Sequence, residues 1–265
     1  MRPALHIPGH FGEWLQGRLG AGGPVVLVTL PAPALGLNLC YRPGPGQSLR
    51  GAGLTPWRAR RFLELLGLSL RGRIVLRPVV APGLGTGVST ASLVALARLA
   101  GWDGAPGILA QACVRAEGAS DPLMFAAPER LLWASRQGRA LAALQALPRY
   151  EVLGGFQGGP ARTEAADSAF PDVSDLVARW QRAQGLVDFA AIATESAARC
   201  SALRGPAGEV APQLAADLGA LGWLRAHTGA ARGLIFAPGT VPAGAEAVLR
   251  AAGWRGLLRI RGGGR

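Results

Sequence analysis

Val80-Ala-Pro-Gly-Leu-Gly-Thr-Gly-Val-Ser-Thr-Ala-Ser-Leu-Val-Ala-Leu-Ala-Arg-Leu-Ala100 is the stretch around which the rest of the chain is arranged. It reads as a strand exit, a glycine loop and a helix. Gly83, Gly85 and Gly87 alternate with Leu84 and Thr86, so the backbone is free to take left-handed turns and to approach a ligand with no Cβ in the way. Ser89 and Thr90 offer hydroxyls of the kind that cap a helix N-terminus. Leu93, Leu96, Ala97 and Ala100 then recur three and four residues apart, as one buried helix face requires. Unpaired amides and the positive dipole end of such a helix favour a phosphate in the loop; the same glycines also suit a plain turn from strand to helix. A Walker loop is excluded, because it needs a lysine and the chain has none. A dinucleotide fingerprint fits poorly, since Val88 or Thr90 stands where its third glycine belongs.

The whole chain sets outer bounds. With 265 residues, 49% of them hydrophobic, it can bury a substantial core as one large domain or two packed halves. No run of about 18 apolar residues is present, and His6, His10 and Glu13 interrupt the N-terminal region, so a soluble, cytoplasmic protein without a membrane partner is expected. Cys40, Cys113 and Cys200 are too widely spaced for a zinc site or a disulfide framework. The net charge of +12 alone would suggest an anionic partner, but all 28 basic residues are arginine, in a chain rich in Ala, Gly and Pro. They are dispersed, and their few clusters are not interleaved with aromatic residues, which argues against nucleic acid.

In chain order, Ala4 to Ile7 reads as a strand ended by Pro8-Gly9. Val25 to Thr29 and Leu35 to Tyr41 read as two strands separated by Pro31 and Pro33. Thr55-Pro56 opens a helix that Gly67 stops. Arg73 to Val79 is a strand feeding the glycine loop, and Ala105 to Ala116 is a helix. Leu131 to Ser135 and Ala140 to Leu144 form a hairpin. Tyr150 to Leu153 leads into Gly154-Gly155-Phe156-Gln157-Gly158-Gly159, expected to be a flexible loop. Helices follow over 174–184, capped by Ser174, and over 188–203, then a helix, two strands, a helix and a strand, with Gly262 to Arg265 frayed. The pattern is α+β rather than regular βαβ.

Three further segments carry groups with chemistry. Gly9-His10-Phe11-Gly12-Glu13-Trp14-Leu15-Gln16-Gly17 combines a carboxylate, an amide and aromatics, in a loop whose Glu and Gln are either satisfied locally or used on a ligand. Glu117 and Asp121, four residues apart at a helix exit, are placed to hold Mg²⁺, to act on a substrate hydroxyl, or only to cap the following turn. His227, in Ala226-His227-Thr228-Gly229, stands at a strand exit, where a structural histidine is the commoner case.

Pro82-x-Gly-x-Gly-x-x-Ser89-Thr90-Ala91 resembles the second motif of the GHMP kinases, Pro8 to Glu13 resembles their first, and the segment at His227 their third. More narrowly, Gly12-Glu13-x-x-Gln16-Gly17 is similar to the form in the L-threonine kinases of cobalamin biosynthesis, whose Glu-Pro-Thr-Asp-Ser-like segment ending in Phe is matched by Asp121 and Phe125. Glu117 lies one residue further upstream than that segment places its Glu. The resemblance implies a ribosomal-protein-S5-domain-2-like N-terminal half (1–153) and a ferredoxin-like C-terminal half (154–265), with ATP and Mg²⁺ bound between them. ATP phosphates would lie on Pro82, Gly83, Leu84, Gly85, Thr86, Gly87, Val88, Ser89 and Thr90, and Mg²⁺ on Ser89 and Glu117. Asp121 would orient or deprotonate the acceptor hydroxyl. His10, Glu13, Gln16, His227, Thr228 and Gly229 would bind L-threonine, giving O-phospho-L-threonine for the aminopropanol linker of cobalamin. A homoserine- or mevalonate-type acceptor, or a basic RNA-binding module on the same fold, are the alternatives.

Overall fold

A computed structural model describes residues 3 to 264. Its frame is a ten-stranded sheet in the order β10 (Arg255–Gly262), β7 (Tyr150–Phe156), β9 (Ala231–Phe236), β8 (Gly222–Arg225), β1 (Pro3–Arg18), β2 (Val25–Arg42), β4 (Gly72–Pro78), β3 (Gln47–Arg50), with the hairpin of β5 (Leu131–Ala134) and β6 (Arg139–Ala143) paired to β2. The two longest strands, β1 (Pro3–Arg18) and β2 (Val25–Arg42), run antiparallel along most of their length. Neither is broken where prolines were expected to end it. β1 continues through Pro8 and Gly9, and β2 through Pro31 and Pro33, because the register jumps there: Pro8 faces Gly36, whereas Gly9 faces Ala32. Residues 33–35 bulge out of the ladder, which is how a sheet tolerates residues that cannot donate to it.

β3 (Gln47–Arg50) pairs in parallel with β4 (Gly72–Pro78), across α1 (Pro56–Leu65). As expected, Thr55 caps α1, its Oγ1 accepting from Arg58 N at 3.3 Å with Pro56 in the first turn. α2 (Val88–Leu99) and α3 (Pro106–Glu117) pack over the same side. Burial in α2 extends beyond one face: Val88 and every residue from Thr90 to Ala97 are buried, so small side chains let it sink into the core cluster that includes Ile7, Leu37 and Phe62. Its cap also differs from expectation. Gly87, with a left-handed φ of 73°, holds the N-cap position, and Ser89 and Thr90 lie inside the first turn.

β5 (Leu131–Ala134) and β6 (Arg139–Ala143) form the expected hairpin. β7 (Tyr150–Phe156) contradicts the flexible-loop expectation, since Gly154, Gly155 and Phe156 are buried strand residues. A Cβ at Gly154 would lie 2.4 Å from the ring of Phe11, so this glycine serves close packing, not mobility. α4 (Ser174–Trp180) begins at Ser174, but Asp172 supplies the capping oxygen: its Oδ1 accepts from Ser174 N at 2.9 Å. α5 (Leu186–Arg204), α6 (Ala211–Asp217), β8 (Gly222–Arg225), β9 (Ala231–Phe236), α7 (Ala245–Ala251) and β10 (Arg255–Gly262) complete the chain in the expected order. The tail is tied down rather than frayed as far as Gly264, whose N donates to Leu147 O at 2.8 Å; Arg265 lies outside the described residues. Among the described residues no helix is long and apolar enough to cross a membrane.

The joint that matters for the site is between β1 and β8, whose pairing consists of Glu13 opposite Arg225. Around it the core packs aromatic edges: Phe11 on Phe156 at 5.6 Å and Trp14 on Tyr150 at 4.9 Å.

Candidate active site

The glycine loop is held by its carbonyls. Gly83 O accepts from Ala161 N (2.9 Å), Leu84 O from Ala231 N (3.0 Å), Gly85 O from Gly12 N (3.4 Å) and Thr86 O from His10 N (3.3 Å). Three segments far apart in sequence are thereby laced together. The contact is tight enough to need glycine on both sides. A Cβ at Gly85 would come within 2.4 Å of the Ala226 side chain, and one at Gly229 within 2.5 Å of Gly83 O, each at positive φ. With the carbonyls turned into the protein, the amides of Val88, Ser89 and Thr90 begin a helix and have no carbonyl four residues back to pair with.

Asp121 sits where the α3 exit meets α2. Its backbone N donates to Thr90 Oγ1 (3.1 Å), and Thr90 Oγ1 lies 3.4 Å from its Oδ2. His10 Nε2 is 3.5 Å from the same Oδ2, and His10 Nδ1 is 3.8 Å from Glu13 Oε1. Burial acts to raise the Asp121 carboxyl, but the charge and hydrogen bond of His10 more than reverse it and hold the group below the usual carboxylate range. Burial likewise acts to lower His10, and the Asp121 carboxylate, with help from Glu13, overrides it to about 9. The result is an imidazolium locked to a carboxylate at neutral pH.

Glu13 and His227 serve this pair from behind. Glu13 Oε2 accepts from His227 N at 2.8 Å, and burial raises the Glu13 carboxyl to about 7. His227 goes the other way, lowered to about 3 by burial and by the nearby charge of Arg136, so its ring is neutral. Gln16 does not reach the site. Fully buried, its side chain donates to Arg225 O (2.8 Å) and accepts from Cys200 Sγ (3.3 Å), which makes it a tie between β1 and β8 rather than the substrate contact expected.

Ser89 Oγ donates to Glu117 Oε2, and Arg58 Nη2 lies 3.7 Å from Glu117 Oε1. Burial raises the Glu117 carboxyl, against the pull of Ser89 and Arg58. Among the described residues no group of three or more His, Cys, Asp or Glu could hold a metal ion. The Ser89 and Glu117 oxygens still fit Mg²⁺, a hard cation that takes one or two protein oxygens and completes its shell with water and phosphate.

These groups border one cavity of about 660 Å³. Of the residues assigned from the sequence, Pro82, Gly83, Ser89, Thr90, Glu117, Asp121 and His227 line it. Leu84, Thr86 and Val88 turn inward, Leu84 and Val88 onto the two core clusters on either side. Gly85, Gly87, Thr228 and Gly229 stand behind the lining, Gly87 against the His10 ring and Gly85 against Thr228. The sequence reading missed Arg58 and Arg136 and the opposite wall at 160–163. No spacing signal marks them, because they come from a helix, a hairpin turn and a loop.

No sequence profile of a known protein family matches the chain, and no curated protein matches it. Solved structures do. The chain is similar to L. major mevalonate kinase in complex with R-mevalonate, at 14% identity and a TM-score of 0.63 over 98% of each chain. It is similar to a 4-(cytidine 5'-diphospho)-2C-methyl-D-erythritol kinase at 20% identity and a TM-score of 0.57, over 98% of this chain and 99% of the other. Homoserine kinase from Cytophaga hutchinsonii gives 18% and 0.54, over 100% of this chain and 95% of the other. The α+β fold of this chain is therefore the GHMP-kinase fold that these three small-molecule kinases share.

Proposed function

We propose that the protein is an ATP-dependent kinase of the GHMP type that phosphorylates the side-chain hydroxyl of a small acceptor, with L-threonine as that acceptor and O-phospho-L-threonine as product. The observation that carries the reading is Asp121. It is a half-buried carboxylate held ionised by His10, bordering the same cavity as the glycine loop and the Ser89–Glu117 pair. In the transfer, the acceptor oxygen bonds to the γ-phosphorus as the bond to the β,γ-bridging oxygen breaks and ADP leaves. The transition state is loose, so the protein's work is chiefly positioning and charge neutralisation. Asp121 orients the hydroxyl and takes its proton; with its pKa held low it acts late, once the oxygen has begun to bond. The first-turn amides of α2 face charge on the phosphates, and Mg²⁺ held by Ser89 and Glu117 would neutralise more of it.

Threonine rests on the Gly12-Glu13-x-x-Gln16-Gly17 form of the first motif. In this fold that motif braces β1 against β8 and His227, so it supports the acceptor assignment only through the resemblance. The mevalonate and homoserine kinases of like fold favour their acceptor types as the second reading. The test is ATP-dependent ADP release with L-threonine, L-serine, L-homoserine and mevalonate in parallel. Turnover of another compound without threonine sinks the threonine assignment, and turnover of none sinks the kinase.

A further inference from the structure

Beside Asp121 the cavity holds a second group of polar side chains for which the phosphoryl transfer gives no task. Ser120 Oγ, Ser135 Oγ, His227 Nε2 and two guanidinium nitrogens of Arg136, Nε and Nη1, are all buried, and none has a hydrogen-bond partner in the protein. All four residues line the cavity. Their placement is built, not incidental. Ser120 N donates to Ser135 O (2.9 Å) and Trp133 Nε1 to Ser120 O (2.6 Å), which locks the β5–β6 turn against the loop carrying Asp121.

Arg136 is held by its remaining nitrogen, Nη2, which donates to Glu164 O at 3.3 Å. Among the described residues no carboxylate lies within ion-pair distance of it. Of the other cations nearby, His10 is committed to Asp121 and Arg204 to Asp167 at 2.6 Å while it stacks 4.0 Å above Phe170; Arg162 lines the cavity from the exposed wall opposite. Phe170 in turn lies 5.5 Å from His227, so the wall behind this corner is already closed. Buried N–H groups left unpaired are costly, and a buried cation without a counter-ion more so. An anionic group of the ligand answers both demands.

The phosphate end of the cavity is set by the start of α2 and by Glu117, whereas Arg136 is grouped with Ser120 and His227 around Asp121. We propose that Arg136, with Ser120, Ser135 and His227, forms the subsite for a carboxylate of the acceptor, so that the enzyme selects a small hydroxy acid or hydroxyl-bearing amino acid over a neutral alcohol. This rests on the reading of Asp121 as the acceptor-hydroxyl residue and narrows the acceptor class.

The test compares L-threonine, L-serine, L-homoserine and mevalonate with their carboxamides on the wild-type protein, Arg136→Gln and Arg136→Lys. Binding is followed by calorimetry with and without a non-hydrolysable ATP analogue, turnover by ADP release, and folding of each variant by circular dichroism. Loss of a charged hydrogen-bond partner in a closed site predicts that at least one acid is preferred over its amide by about a hundredfold. Arg136→Gln should bring that ratio near one with KM for ATP within about twofold of wild type, and Arg136→Lys should restore part of it. A wild-type protein indifferent between acid and amide, including one that binds neither, overturns the subsite. So does a ratio untouched by Arg136→Gln, or an effect of that variant confined to ATP. Arg136-dependent binding of an acid with no ADP formed leaves the subsite standing and removes the kinase reading instead.

Discussion

The His10–Asp121 pair makes the protein's stability depend on pH in a window where few other groups titrate. An exposed histidine titrates at 6.5; in the folded chain the Asp121 carboxylate, against the opposing effect of burial, holds His10 at about 9. That gap corresponds to about 3 kcal/mol by which the folded protein favours the protonated ring. Below pH 6.5 both folded and unfolded chains carry the proton and the contribution is complete. Between 6.5 and 9 the unfolded chain has lost it and the native chain keeps it, so unfolding free energy falls by about 1.4 kcal/mol per pH unit. Above 9 the contribution is gone. His10→Gln removes the titrating group and with it this slope, whatever else it does to absolute stability.

Two measurements check this. The chain has only three histidines, so the imidazole Cε1 resonances can be followed individually by NMR; His10 should titrate near 9 and His227 should stay neutral down to about 3. Urea midpoints from pH 6.5 to 9.5 should fall more steeply for wild type than for His10→Gln. A His10 midpoint near its ordinary value, or parallel slopes for the two proteins, would refute the ion pair as the source of Asp121's low pKa. Catalysis should follow the same titration, with kcat declining above pH 9 as Asp121 loses its cation.

Asp121→Asn keeps the shape and much of the hydrogen bonding around Thr90 but removes the charge and the proton acceptor; kcat should drop by about 10³-fold while the Kd of an ATP analogue changes less than about twofold. Ser89→Ala should raise the Mg²⁺ concentration for half-maximal activity by about tenfold, read from a Mg²⁺ titration at saturating ATP, and an unchanged requirement would take Ser89 out of the metal site. Gly229→Ala forces a Cβ to 2.5 Å from Gly83 O at a φ of +100°. It should destabilise the protein by about 2 kcal/mol or more and raise KM for ATP, as judged by thermal melts and initial rates.

What could be read from the sequence and what could not divides along the range of the forces involved. Thr55-Pro56 announced α1, and the residues flanking Gln137-Gly138 announced the β5–β6 hairpin, because capping and turn chemistry act within a few residues. Pro8, Pro31 and Pro33 misled as strand ends because a bulge at residues 33–35 of β2, a pairing effect between β1 and β2, absorbed them. Gly154 misled as a loop because its reason is Phe11, more than a hundred residues away.

The hydroxyls after Gly87 show the same division within the site. Ser89 and Thr90 have the chemistry of caps, yet the fold spends them sideways, on Glu117 and Asp121, and leaves the cap to Gly87. Their importance was legible and their partners were not. Arg136 was not legible at all, being one of 28 arginines with no motif around it. What distinguishes it is a pair of buried guanidinium nitrogens left without a hydrogen-bond partner in the cavity wall, and that property exists once Ser120, Ser135 and Trp133 have fixed the turn beside Asp121. Glycine loops and the carboxylates near them thus report that a site exists, whereas the side chain that selects the acceptor is found by asking which buried donors in the cavity wall the protein itself leaves unpaired.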